Sequence, residues 1–343
     1  MDPAAARYLT QLLAASTLPQ PVSVFARLGL ADLMAAGPRT AADLATATAT
    51  DQDALGRLLR ALGSLGIVRR EPGGAFALTD VGGLLRSDAP GSLRAAAELT
   101  GAAWRAAALD LESCVRDGGS AFARRFGQPL YPYLAAHPDE ARAFHAVQQG
   151  HAAALDLLPA VDASAAGVVV DVGGGTGAVL ARILSARPGL RGVLFDRPEV
   201  VAQAGPVLAA ASVDERCGCH GGDFLEAVPA GGDLYLLCFV LHNWDDAGAA
   251  RILGACAAAM APGARLLVVE GLLDDDSAQL HLLDLEMLVF TEGGRERSEA
   301  EFRALLWAAG FAVLGVGPSG GGAAVIEAAR APAESSGGAT GPR

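Results

Sequence analysis

Val168-Val-Val-Asp-Val-Gly-Gly-Gly-Thr-Gly177 is the stretch around which the rest of the chain is organised. Three β-branched residues in a row have no helical period. They break into glycines, which accept positive φ and place no side chain between backbone and ligand. The apolar residues that follow, Val179, Leu180, Ile183 and Leu184, recur at helical spacing up to Arg187-Pro188. The predicted order is buried strand, tight turn, helix, the junction at which open α/β sheets bind nucleotide-like ligands.

Two ligand classes compete for such a turn. Gly173, Gly175 and Ala178 satisfy the loose dinucleotide pattern, and Asp196 closes the next strand, where a ribose-binding acid belongs. Asp171 discriminates between them. A carboxylate just ahead of the glycines repels a pyrophosphate and attracts the ammonium of a methionine moiety. The reading is therefore S-adenosyl-L-methionine (SAM) rather than NAD.

The chain has 343 residues, more than one compact core usually holds, so two domains are expected. A hydrophobic fraction of 52% is inflated by alanine, and no unbroken apolar run reaches the length of a spanning helix. The N-terminus, Met-Asp-Pro-Ala-Ala-Ala-Arg, lacks the basic head and apolar stretch of a signal peptide, so a soluble cytoplasmic protein without a membrane partner is expected. Cys114, Cys217, Cys219, Cys238 and Cys256 are odd in number and lack framework spacing. Cys217-Gly-Cys219 is too tight for a zinc knuckle and has no second pair, so these read as scattered thiols, with no metal. A net charge of −12, with all 26 cations arginine, argues against a nucleic-acid partner.

Residues 1–100 carry helical patterns, with Leu55, Leu58, Leu59 and Leu62 on one stripe, then two short strands around the Pro72-Gly-Gly turn and a helix capped by Thr79. This is the outline of a winged helix. The stretch Asp51 to Leu65 offers Asp51, Asp53, Arg57 and Arg60, a balanced set where a DNA-reading helix needs cations. The module is therefore expected to support dimerisation and wall a pocket. Residues 101–160 read as connecting helices, 161–330 as the ligand-binding domain and 331–343 as a disordered tail. Within the second half, strands at Arg191 to Phe195, Leu234 to Cys238, Arg265 to Glu270, Phe311 to Val316 and Ala323 to Ala328 alternate with helical stretches. The fold class is α/β, a parallel sheet covered on both faces, with an antiparallel edge at the end.

Polar residues gather at the strand ends. Asp223-Phe224 puts a carboxylate and an aromatic face where a flat heterocycle would lie. Cys238, His242, Asn243 and Trp244 stand at or beyond one strand end, and Glu270 ends the next. Chemistry at the carboxyl edge of a parallel sheet draws on several strand ends at once.

The ordered series Asp171-Val-Gly-Gly-Gly-Thr-Gly177, Phe195-Asp-Arg-Pro198, Gly222-Asp-Phe224, Leu241-His-Asn-Trp-Asp245, Val269-Glu270, Asp284-Leu-Glu-Met-Leu288 and Gly293-Gly-Arg-Glu-Arg-Ser298 resembles the plant-type SAM-dependent small-molecule O-methyltransferases, in their bacterial antibiotic-tailoring branch. The resemblance spans nearly the whole catalytic half and extends to the helical N-terminal dimerisation module. It implies a Rossmann-like methyltransferase domain, a homodimer, and a phenolic or polyketide-like acceptor. It also implies His242 as general base, oriented by Glu270 and Glu296. SAM falls to Asp171, Gly173, Gly175, Asp196, Asp223 and Phe224, with Cys238 where plant members carry a lysine near the cofactor. Asn243 and Met287 fall on the acceptor side, and Val147 stands where many relatives have a substrate-clamping methionine. His145 and His151 read as exposed or core residues rather than pocket groups. The same scaffold serves hydroxylation, decarboxylation or rearrangement in some relatives, but an intact His242, Glu270 and Glu296 favours transfer.

Proton affinities select the acceptor class. An imidazole near pKa ~6.5 and a phenol near ~10 differ by about 3.5 units, roughly 4.8 kcal/mol. An aliphatic alcohol, closer to water at about 15.7, leaves roughly 12 kcal/mol. A phenol or enol is therefore the expected acceptor.

Overall fold

The computed structural model describes residues 2–101, 103–161 and 167–331. The chain divides into two compact units, residues 1–111 with 131–150, and residues 112–130 with 151–343. The stretch 101–160 is thus shared between them, and the expected tail, apart from Ala331, lies outside the described residues.

In the first unit, helices Ala41–Thr48 and Gln52–Ser64 precede strands β1 (Val68–Arg70) and β2 (Phe76–Leu78), which pair antiparallel across the predicted turn. Thr40 and Asp43 close a reciprocal cap on the first helix, and Asp51 caps the second through the amide of Ala54. Leu55, Leu59 and Leu62 pack with Phe25, Leu30, Leu44 and Phe76 in one core. This is the winged-helix outline. The helix Pro3–Ala15 buries none of its residues.

The second unit is built on a seven-stranded sheet. Its strands are β3 (Val168–Val172), β4 (Arg191–Asp196), β5 (Cys217–Gly221), β6 (Leu234–Cys238), β7 (Arg265–Glu270), β8 (Phe311–Pro318) and β9 (Ala324–Arg330), in the spatial order β5-β4-β3-β6-β7-β9-β8. The first five are parallel, and β9 is antiparallel to both of its neighbours. Two expectations change here. The last strand inserts between β7 and β8 instead of closing the edge. Cys217–Gly221, absent from the predicted strands, is the opposite edge, because Cys-Gly-Cys-His-Gly carries no β-branched residue and its order comes from pairing with β4.

Alternation along β3 divides the core. Val169 faces Leu180, Ile183 and Leu184 of helix Ala178–Ala186, while Val170 and Val172 face the layer containing Ile252, Leu253, Phe302 and Leu306. Strand order reverses at β3, which opens a crevice beyond the carboxyl ends of β3 and β6.

Candidate active site

The turn after β3 is set by its glycines. Gly173, Gly175 and Gly177 all have positive φ, and Gly173 donates to the carbonyl of Phe195 at 2.7 Å. Asp171 lies fully buried beneath this turn. Neither of its carboxylate oxygens has a hydrogen-bond partner, and burial, with Asp196 nearby, pushes its pKa up to about 7. Two orphaned oxygens under an open glycine turn suit a cationic ligand end above them. Asp196, at the end of β4, accepts from the amide of Gly175 at 2.8 Å, so it shapes the turn as well as standing at its rim. Asp223 accepts from Leu225 at 2.8 Å, and the ring of Phe224 meets Trp244 edge to face with centroids 5.8 Å apart. Cys238, half-buried at the end of β6, keeps a neutral thiol because burial raises its pKa well above the ordinary value.

The second half of the site follows β6. Phe239 adopts a left-handed conformation (φ +53°) and donates to Val269 at 2.9 Å, turning the chain into the short 3-10 segment Leu241–Asn243. Glu270, at the end of neighbouring β7, lies under that segment. Its Oε1 accepts from the amides of Val240 (3.1 Å) and Leu241 (2.8 Å). The His242 ring, whose residue is only 8% exposed, presents Nδ1 to Glu296 Oε1 at 2.8 Å, with Glu270 Oε2 at 3.7 Å. Glu296 thus holds the ring, whereas Glu270 holds mainly the backbone that carries it.

Both carboxylates are buried. Burial alone would lower the His242 pKa, but the charges of Glu270 and Glu296 outweigh it and raise the value, with Arg297 opposing them. Burial, reinforced by Glu296 and opposed by His242, pushes Glu270 up to about 7. With Nδ1 donating to Glu296, Nε2 is left as the nitrogen able to accept a proton.

Asn243 spends its amide nitrogen on the carbonyls of Phe239 (3.1 Å) and Val240 (3.3 Å), leaving Oδ1 as its polar group toward an acceptor. Met287 is half-buried on helix Ala278–Phe290. His151 stands 6.4 Å, ring to ring, from Phe239, which is itself 5.9 Å from His242. His145 lies against Phe144 in the other unit. Asp284 accepts the amide of Glu296 at 2.8 Å, and Arg297 reaches the carbonyls of the histidine turn. Sequence reasoning assigned no role to either residue. The signal available was their presence in the Asp284-to-Leu288 and Gly293-to-Ser298 motifs.

Known proteins are similar to this chain over most of its length. Residues 109–312 match the O-methyltransferase domain, and residues 10–88 match the O-methyltransferase dimerisation domain. The phenazine O-methyltransferase PhzM of Lysobacter antibioticus is 39% identical over 324 residues, covering 93% of this chain and 95% of that protein. The 3-amino-4-hydroxybenzoate 4-O-methyltransferase of Streptomyces cremeus is 42% identical over 311 residues, covering 90% and 85%. The solved structure of NcsB1, an O-methyltransferase from neocarzinostatin biosynthesis, in complex with SAM and 2-hydroxy-5-methyl naphthoic acid, superposes with a TM-score of 0.81 at 33% identity over 92% of this chain and 96% of that one. This chain belongs to the O-methyltransferase family, and its cofactor is SAM.

Proposed function

We propose that this O-methyltransferase methylates a phenolic or enolic hydroxyl of an aromatic or polyketide-like secondary metabolite in the cytoplasm, as a homodimer, with His242 as general base. The observation that carries the role of His242 is its buried pairing through Nδ1 with Glu296, which fixes the tautomer and leaves Nε2 to the acceptor. The acceptor class is supported by the match in proton affinity and by what the relatives are named for.

Gly173, Gly175, Asp196, Asp223 and Phe224 would hold SAM, with Asp171 supplying negative field from below and Cys238 a neutral wall. Bound SAM supplies a methyl group already activated on a sulfonium. The protein's own contribution is alignment of the acceptor oxygen and removal of its proton. Nε2 of His242 takes the acceptor O–H proton, and Glu296 and Glu270 stabilise the imidazolium that results. A base of this kind contributes about 10²- to 10⁴-fold.

Mass spectrometry of phenols and matched aliphatic alcohols incubated with SAM tests the reading. The expected result is a gain of one methylene on the phenols alone. Equal methylation of the alcohols would overturn the acceptor class, and product change without a gained methylene would favour a repurposed scaffold.

A further inference from the structure

Arg297 is the largest fully buried side chain of the described residues, 1% exposed. Its Nη1 donates to the carbonyl of Leu241 at 3.0 Å and its Nη2 to the carbonyl of Trp244 at 2.8 Å, the two carbonyls that bracket His242 and Asn243. Nε and Nη2 also reach Asp246 Oδ1 at 3.0 and 2.8 Å. Burying a guanidinium is costly unless its donors are met, and an apolar side chain would fill the same space without that cost. The preceding residues work on the same turn. Arg295 donates its amide to the His242 carbonyl at 2.8 Å, and Glu296 holds the ring. One short segment thus grips the imidazole, the carbonyl of its own residue and the carbonyls on either side.

We infer that Arg297 is a positioning residue for the base: its planar fork fixes the Leu241–Trp244 turn that carries His242. Seated on the carbonyl next to His242 and one residue from Glu296, its charge opposes the hold of Glu270 and Glu296 on the imidazole proton. The inference rests on His242 acting as the base. The charged and titratable groups around the imidazole are Glu270 at the end of β7, Glu296 and Arg297 on the 293–298 loop, and His151, whose own pKa is lowered by burial and by the charge of His242. Asp246 faces Arg297 from its solvent side. Arginine suits this task better than lysine, because an ammonium cannot bracket two carbonyls and a carboxylate in one plane.

The test is the pH dependence of kcat at saturating SAM for wild type, R297K and R297Q. With the charge removed in R297Q, the acid midpoint should rise by at least about half a pH unit. In R297K the charge is kept and the fork lost, so the midpoint should stay with wild type while plateau kcat falls about 10- to 100-fold. Both variants losing rate with unmoved midpoints would overturn the electrostatic role, and an unchanged plateau in R297K would overturn the positioning role. Should R297Q fail to fold, D246N serves in its place, since that carboxylate is 69% exposed. Its loss leaves the guanidinium less neutralised, so the midpoint should fall, and an unmoved midpoint overturns the inference. H242A run alongside separates the two claims, because an acid limb that survives in H242A removes the base itself rather than its positioning.

Discussion

Asp171 is a buried carboxyl that the free protein leaves without a hydrogen-bond partner. Its two buried oxygens have no partner, and its pKa stands at about 7. A cation seated above the glycine turn favours the ionised carboxylate, so SAM binding near neutral pH should expel a proton from this group. The sign is fixed: the free carboxyl is about half protonated near pH 7 and the liganded one is ionised. Calorimetry at pH 7 in buffers of different ionisation enthalpy should therefore show proton release on SAM binding that disappears in D171N. Equal release in both proteins would assign the proton to another group, Glu270 being the alternative with a pKa at about 7. The same logic makes Glu296 the nearer partner of His242, since it touches the ring while Glu270 accepts from backbone amides.

The turn after β3 is the element proposed to seat SAM, and its middle glycine has no spare room. A Cβ on Gly174 would lie 2.4 Å from Asp171 Oδ2 and 2.6 Å from a Leu194 methyl, both in the core. Gly174→Ala should cost about 1–3 kcal/mol by overpacking and weaken SAM binding with it. Urea unfolding and SAM titration of the same sample check this, and wild-type stability would contradict the packing. This turn was legible in the sequence because strand, glycines and helix follow one another within a few residues. So were β4, β6 and β7, whose apolar runs are continuous. The edge strand Cys217–Gly221 was not, since two glycines among five residues give no strand signal and its partner strand supplies the order. Arg297 escaped for a different reason. Its hydrogen bonds reach residues more than fifty positions away, and sequence shows a conspicuous arginine without showing which carbonyls it meets.

At the scale of the whole molecule, the N-terminal helix points to assembly. Pro3–Ala15 buries nothing, and Tyr8, Leu9, Leu12 and Leu13, the first 64% and the last 68% exposed, share one face. A helix of this length is marginal alone in water, and its open apolar face is where the proposed homodimer would close, residues 10–88 matching the dimerisation domain. Replacing Leu9 and Leu13 together by Glu should shift sedimentation from dimer to monomer, and an unshifted dimer would place the interface elsewhere. The proposed function divides labour between the two halves of the rim, one to hold the methyl donor and the other the proton acceptor. The most direct measurement of that division is kcat and SAM affinity determined together for H242A. With His242 as the base, kcat should fall about 10²- to 10⁴-fold while SAM affinity stays near wild type. Turnover equal to wild type in that variant would contradict it.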